Sequence, residues 1–332
     1  MSESYPSRIL ICGLGSIGRR HLRVINAMYP EFEISVLRSG LGKHCVEVEV
    51  ANQIFTDLSD ALLWKPHAAI ICTPASDHLN KALPLAREGV PLLIEKPIGM
   101  GNERSSDWLE LIDLSKIVPI EVGYVLRHDP CAAFTNKILQ TGSLGNIIEA
   151  DFYCGSWLPD WRPGIDYRNS VSAKQALGGG VLLELSHELD MARLFFGDIQ
   201  IETSMLLNSG LLDIDTEDRS ILIGRASPNL LVSFRLNFCS KPSRRMVTIR
   251  GCSGELTWNI LEGTVCLITN DAKHSENFKS PVSLDQLYQI QAEHFLSCVT
   301  RQSTVLCSVS DALDILELVN TARYLNSLVH RS

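Results

Sequence analysis

The chain has 332 residues and a mass of 36.8 kDa, more than one hydrophobic core usually organises, so its length predicts about two domains. Hydrophobic residues at 45% and charged residues at 20% exclude both a disordered chain and a long coiled coil. Thirty Lys and Arg against 38 Asp and Glu give a net charge of −8, which repels polyphosphate, argues against a nucleic-acid partner and leaves small polar ligands in view. The ten cysteines form no CxxC pair and mostly sit in apolar runs, a pattern that predicts buried free thiols in a reducing compartment. Met1 to Arg8 lacks the basic and apolar stretches of a secretory leader, and no apolar run approaches the ~18 residues of a membrane span, so the expectation is a cytoplasmic protein without a membrane partner.

Over residues 1–123, apolar runs at 9–12, 34–37, 69–72, 92–94 and 118–122 alternate with amphipathic stretches near 17–28, 58–64, 77–88 and 103–116. That alternation predicts an α/β domain, a parallel sheet wrapped by helices. The first strand runs into Gly13-Leu14-Gly15-Ser16-Ile17-Gly18 and then a helix, the context a dinucleotide fingerprint requires. Gly13 permits the tight turn, Gly15 lets the backbone approach a pyrophosphate, and Gly18 lets helix and sheet pack closely. Ser16 and Ile17 supply N–H groups at the positive end of the helix dipole. At the end of the second strand an NAD-binding chain usually carries an acid for the ribose hydroxyls; here stand Arg38 and Ser39. A guanidinium pairs with a 2′-phosphate and cannot replace the carboxylate, which favours NADP(H) and leaves NAD(H) as the alternative.

Two further β–α junctions carry Thr73-Pro74-Ala75-Ser76-Asp77-His78 and Glu95-Lys96-Pro97, both at strand carboxyl ends, where open α/β sheets bind ligands. Lys96 leaves an apolar strand directly before a proline; desolvation and a neighbouring positive ring favour loss of an ammonium proton, which suits a general acid or base, whereas a snorkelling lysine is the bland alternative. GLGSIG, TPASDH and EKP, in this order and at these distances, resemble the Gfo/Idh/MocA oxidoreductases. The resemblance implies that Thr73 and Pro74 line the nicotinamide side of the cofactor, that Glu95 touches its ribose, that a cis Lys96–Pro97 bond aims Lys96, and that His78 belongs to the cofactor surroundings. A histidine at that helix start more often caps or packs than reacts.

From 124 to 332 the pattern becomes α+β: strands at 147–155, 201–208, 219–226, 230–238, 245–251, 254–259 and 264–269, joined by turns such as Ser227-Pro228-Asn229, predict a large, mainly antiparallel open sheet. Helices at 286–299 and 310–328 close the chain. A sheet with helices on one face leaves the other to be covered, and in proteins resembling this family a second subunit commonly does so; a homo-oligomer, dimer or tetramer, is expected through this sheet. The densest chemistry follows Gly178-Gly179-Gly180. There a single helix is predicted to carry Glu184, His187 and Asp190 three residues apart on one face, with Phe195-Phe196-Gly197 ending it. A carboxylate on one ring nitrogen fixes the histidine tautomer and leaves the other nitrogen to exchange a proton with substrate. The family's usual motif here is Asp-x-x-x-His, but Leu183 stands four before His187, so the orienting role passes to Glu184.

Arg127 lies where the chain leaves the first domain, and the resemblance places an arginine there near nicotinamide or substrate. The stretch Trp157-Leu158-Pro159-Asp160-Trp161-Arg162-Pro163-Gly164-Ile165-Asp166-Tyr167-Arg168 gathers flat aromatics suited to sugar faces and arginines suited to an acidic group, or else tryptophans that anchor a long loop. Trp157, Trp161, Arg162, Tyr167 and Arg168, with Lys96, Arg127, His187 and Asp190, are the substrate candidates; Lys96, His187 and Glu184 are the catalytic ones, and no metal is expected. The function expected from residues and resemblance together is hydride transfer between NAD(P) and a secondary alcohol or ketone of a sugar, inositol, or acidic or nucleotide sugar. The alternatives are a non-catalytic sensor or corepressor on the same fold and a reductase or dehydrogenase of a non-sugar.

Overall fold

A computed structural model describes residues 7–40, 45–227, 229–270 and 275–329, which leaves Pro228 of the predicted 227–229 turn and Met1 to Pro6 outside the described residues. The chain forms two compact units. One runs to Val125 and takes back Ser283–Leu313; the other holds Leu126–Val282 and the chain from Asp314 onward. A single boundary near 123 does not anticipate that return.

The first unit is built on a six-stranded parallel sheet of β1 (Arg8–Cys12), β2 (Glu33–Leu37), β3 (Gln53–Phe55), β4 (Ala68–Ile71), β5 (Leu92–Ile94) and β6 (Ile120–Val122), in the order β3-β2-β1-β4-β5-β6. The order reverses between β1 and β4, the switch point at which doubly wound sheets bind ligands. The strands are short apolar runs because helices cover both faces: α1 (Ser16–Met28), α2 (Leu58–Leu63), α3 (Ala75–Arg87) and α4 (Ser105–Ser115) connect them. Leu22 and Ile25 of α1 pack with Ile9, Ile11, Ile34, Val36 and Ile70 of the sheet, and Ala292, Phe295 and Leu296 join this same core from far along the chain. Strand β3, unpredicted, is three residues whose side chains stay largely out of the core, so no apolar run marked it.

In the second unit, α5 (Pro130–Thr141) precedes β7 (Ile147–Trp157), α6 (Val181–Glu184) and α7 (His187–Phe196) follow it, and β8 (Gln200–Leu207), β9 (Arg219–Ser227), β10 (Leu230–Asn237), β11 (Cys239–Gly251), β12 (Gly254–Asn259), β13 (Thr264–Thr269) and β14 (Glu276–Lys279) complete an eight-stranded sheet. Its order is β14-β13-β12-β11-β7-β10-β9-β8, antiparallel throughout except for the parallel pair β7–β10. Alternation sets its two faces: in β10, Leu230, Val232, Phe234 and Leu236 are buried while Leu231 and Arg235 are exposed. On the buried face Phe152 stacks on Phe234 at 5.3 Å, and Trp258 meets Phe195 of α7 edge-on. The other face exposes Met205, Ile221, Ile223, Leu231 and Ile268 and carries Arg250 bonded to Glu149, Asp151 and Glu255.

Two departures from the predicted elements have local causes. Helix α5 was passed over although Asp129 caps it through Cys131 N–H, Pro130 occupies its first turn and Gly142 ends it at φ 69°, a sequence-legible set of signals. Strand β11 starts at Cys239, earlier than the predicted 245, in a stretch that no apolar alternation marks as strand, since Ser240, Lys241, Pro242 and Ser243 bury no alternating face. Helices α8 (Leu284–Val299) and α9 (Val309–Val329) match the expected closing pair; Ser283 and Gln286 form a capping box at the start of α8, and α9 begins in the first unit and continues into the second. Among the described residues no helix is long and apolar enough to cross a membrane.

Candidate active site

In the first unit, Gly13 follows β1 at φ 93°, a conformation only glycine adopts without strain, and donates its N–H to Leu37 O at 2.8 Å. A Cβ at Gly18 would lie 2.0 Å from Gly13 O and 3.2 Å from Cys72 Cβ, so side-chain absence is what lets α1 close on the loop and on β4. At Gly15 the opposite holds: an added Cβ would meet nothing within 4 Å. No side chain caps α1, and its first N–H groups, Ser16 to Gly18, have no partner within the helix and face that opening with the positive end of the dipole. Thr73 packs its backbone against Gly13, where a Cβ would lie 2.9 Å from Thr73 N, and its Oγ1 is shielded from water with no hydrogen-bond partner among the described residues. An open backbone cradle and an orphaned hydroxyl at the carboxyl end of the central strands fit a dinucleotide. Arg38, half-buried, stands directly beyond β2 with its N–H on Phe55 O, and Ser39 is exposed.

Strand register brings the two junction motifs to one level. Ile71 of β4 pairs with Ile94 of β5, so Thr73 and Lys96 each stand two residues past a paired position. His78, buried on α3 three residues after Ala75, ties the junctions together: its Nε2 lies 2.8 Å from Thr73 O and its Nδ1 3.0 Å from Pro97 O. Burial pushes the His78 pKa below the ordinary 6.5, against the opposing pull of the two carbonyls and of Glu95. The Lys96–Pro97 peptide is cis, as the resemblance implied. Glu95 is buried; its Oε1 accepts from His21 Nε2 at 2.7 Å and its Oε2 from Lys96 N–H at 3.3 Å. His21, fully buried and edge-on to Tyr288, is a site residue that sequence reasoning passed over; its signal is a polar residue three after Gly18 on the helix face shared with Leu22 and Ile25. The thiols behind the loop are inert: burial pushes Cys12 up to about 12 and Cys72 well above the usual range.

In the second unit the predicted continuous helix after Gly180 is two helices. Glu184 ends α6, Leu185 and Ser186 break the ladder, and His187 begins α7, so Glu184 and His187 do not share a helical face as the spacing implied. Residues far along the chain anchor each piece. Val181 and Leu182 N–H donate to Glu217, to its carbonyl at 3.1 Å and its side chain at 3.2 Å, and Gly180, at φ 105°, leaves no room for a Cβ beside that carboxylate. Within α7, Glu188 accepts from Arg245 Nε at 2.6 Å, and Asp190, fully buried, accepts from Arg127 Nε and Nη2 at 2.9 and 2.6 Å. The helix that presents His187 is thereby pinned at both of its acids, and Gly197 ends it at φ 75° as predicted.

The tryptophan-rich stretch is largely packed onto its own unit. Trp157 closes β7 under Lys241 at 5.5 Å, and Trp161 donates to Ser156 Oγ at 2.7 Å and meets Phe238 edge-on at 5.2 Å. Arg168 is bonded to Asp166, Tyr167 OH accepts from Asp213 N–H, and Arg162 is half-buried. All ten cysteines are free, although Cys252 is exposed and Cys45, Cys239 and Cys266 are only partly covered, so burial holds for six of them and not throughout.

Residues 7–118 match the model described as oxidoreductase family, NAD-binding Rossmann fold, and residues 134–257 match the Gfo/Idh/MocA C-terminal domain. Curated relatives include oxidoreductase P35 of Formosa agariphila, 21% identical over 82% of this chain and 83% of the relative, and the NAD(+) scyllo-inositol 2-dehydrogenase of Bacillus subtilis, 24% identical over 57% and 54%. Levoglucosan dehydrogenase of Pseudarthrobacter phenanthrenivorans is 28% identical over 42% of this chain and 35% of its own. Among solved structures, levoglucosan dehydrogenase in complex with NADH and levoglucosan aligns with a TM-score of 0.80 and 17% identity over 96% of both chains. WlbA dehydrogenase of Bordetella pertussis, with NADH and UDP-GlcNAcA, aligns with a TM-score of 0.78 and 17% identity over 97% of both. With the glycine cradle, the paired junctions and both domain models in agreement, the chain belongs to the Gfo/Idh/MocA family of NAD-binding oxidoreductases.

Proposed function

We propose that the protein is an NAD(P)-dependent dehydrogenase acting on a secondary alcohol or ketone of a sugar, an inositol, or an acidic or nucleotide sugar. The first unit holds the dinucleotide and the second holds the substrate and associates with further copies. The observation that carries this reading is the orphaned Thr73 hydroxyl on the residue packed against Gly13, at the same sheet level as Lys96. When bound, nicotinamide accepts or returns the carbinol hydride. Gly13, Gly15, Ser16, Ile17, Gly18, Thr73 and Pro74 hold the dinucleotide; Glu95 and His78 set the backbone on either side of Lys96. Lys96 and His187 are the two proton carriers, one removing the hydroxyl proton and the other supporting the developing alkoxide; Glu184 orients His187 through space between two helices instead of along one. Asp190 serves by holding Arg127, and Arg162 or Arg168 receives an acidic substituent of the substrate.

Arg38 supports NADP(H) over NAD(H), since it stands where a carboxylate would serve the ribose. The apolar residues left on the open face of the eight-stranded sheet support a homo-oligomer through that face. Ten free thiols support a reducing, cytoplasmic setting. Binding is read by tryptophan and reduced-nicotinamide fluorescence during titration with NADPH and NADH, followed by a panel of keto-sugars, inosones and nucleotide keto-sugars. Tight binding and loss of reduced nicotinamide with one panel member is the expected result. Binding without turnover on any member would favour a sensor, and no binding of either nucleotide would overturn the proposal.

A further inference from the structure

Strand β6 and helix α8 of the first unit bring together three side chains for which the dehydrogenase reading has no use. Glu121 lies on β6 and is 1% exposed; His294 and Cys298 lie four residues apart on α8, on one helical face, with Cys298 also 1% exposed. His294 Nδ1 is 3.1 Å from Glu121 Oε2, and Cys298 Sγ is 3.8 Å from the same Nδ1 and 3.9 Å from Nε2. One donor atom from each residue lies within 4.8 Å of the other two. A carboxylate and an imidazole satisfy one another without a sulfur, so the thiol is the feature an ion pair leaves unexplained. Gln291, one turn earlier on the same face of α8, is a second one: it is fully buried, and neither its Oε1 nor its Nε2 has a hydrogen-bond partner among the described residues.

Carboxylate oxygen, imidazole nitrogen and thiolate sulfur are the donor set of zinc, and a His and a Cys at i and i+4 of a helix project to one side as zinc ligands do. The distances decide whether an ion fits. Tetrahedral bonds of about 2.0–2.1 Å to nitrogen and oxygen and about 2.3 Å to sulfur make the N···O edge roughly 3.3 Å and the N···S edge roughly 3.6 Å. The two edges found here, 3.1 and 3.8 Å, each depart from those values by a few tenths of an ångström.

We propose that Glu121, His294 and Cys298 form a three-ligand site for a borderline divalent cation of the zinc class, with the fourth position open to water at the partly exposed edge of His294. Binding displaces the thiol proton, and any proton shared by His294 and Glu121, to solvent, and forms metal–sulfur, metal–nitrogen and metal–oxygen bonds. The ion clamps α8, which the chain delivers from the far side of the second unit's sequence, onto the last strand of the parallel sheet.

The test uses reduced, chelator-stripped full-length protein without nucleotide or substrate, so it stands apart from the dehydrogenase reading. Zinc is measured by competition with a chromophoric chelator, and cobalt(II) serves as the optical probe. The expected result is one zinc per chain, a near-ultraviolet thiolate-to-cobalt band, and a thermal midpoint that rises with zinc. Cys298→Ser removes the band, and Cys298→Ser, Glu121→Gln and His294→Gln each weaken zinc by more than ~10-fold. No stoichiometric uptake by the wild-type chain overturns the proposal without recourse to any variant, and so does an unchanged band and affinity in folded Cys298→Ser.

Discussion

The two glycine-bearing segments of this protein look alike as sequence and behave differently as structure. The turn at 13–18 is a single strand–turn–helix module in which Gly13 needs a positive φ and Gly18 needs contact closer than any side chain allows. Both demands are local, and the loop takes the form its residues dictate. The segment at 178–187 also leads into a helix, but that helix is capped at its start by Glu217, some thirty residues on, and is interrupted before His187. Local spacing is a reliable guide where glycine conformation sets the turn, and a poor one where distant residues anchor the segment.

The largest effect that would sharpen this contrast is on stability. Asp190→Ala leaves the Arg127 guanidinium buried without that carboxylate and costs about 3–5 kcal/mol in urea unfolding; a loss under about 1 kcal/mol would show that α7 is held by other means. Next come the proton carriers. Lys96→Ala and His187→Ala each lower turnover by ~10²-fold, about 2.7 kcal/mol of barrier, with nucleotide affinity retained. An unchanged rate in either removes that residue from the mechanism. Arg38→Asp moves the ratio of NADPH to NADH affinity toward NADH by roughly ten- to hundredfold, because a hydrogen bond to a charged group contributes about 1.5–3 kcal/mol; an unaltered ratio places recognition of the 2′-phosphate elsewhere.

The smallest effect concerns His78, which joins the Thr73 and Lys96 junctions. Its folded pKa lies below the unfolded value near 6.5, so the unfolded chain binds the extra proton first. The stability His78 contributes is complete above 6.5 and is lost as pH falls through and below that value. Wild-type protein therefore loses more stability than His78→Gln between neutral and mildly acidic pH; parallel pH profiles of the two would mean that the ring titrates freely.

Much of the fold was legible because its signals are local. Apolar runs bounded by turn residues located five of the six strands of the parallel sheet, and alternation located seven of the eight strands of the other. The three-residue β3 and the edge strand β14 offered no pattern, since neither buries an alternating face. The candidate site was legible in part: glycines, junction motifs and the acid-rich helix were visible, whereas the pairing of His21 with Glu95 and of Arg127 with Asp190 depends on elements 74 and 63 residues apart.

By itself the sequence determined the glycine cradle, the strand–helix alternation, the helix-ending Gly197 and the family resemblance, because each is set by backbone conformation or periodicity within a few residues. Only the tertiary structure decided that α8 returns to the first core, that the helix before His187 breaks, and that the acids following it are ion-paired inside the unit. Buried charge and long-range packing are satisfied by whatever the fold brings near, and proximity of that kind is not written in spacing along the chain.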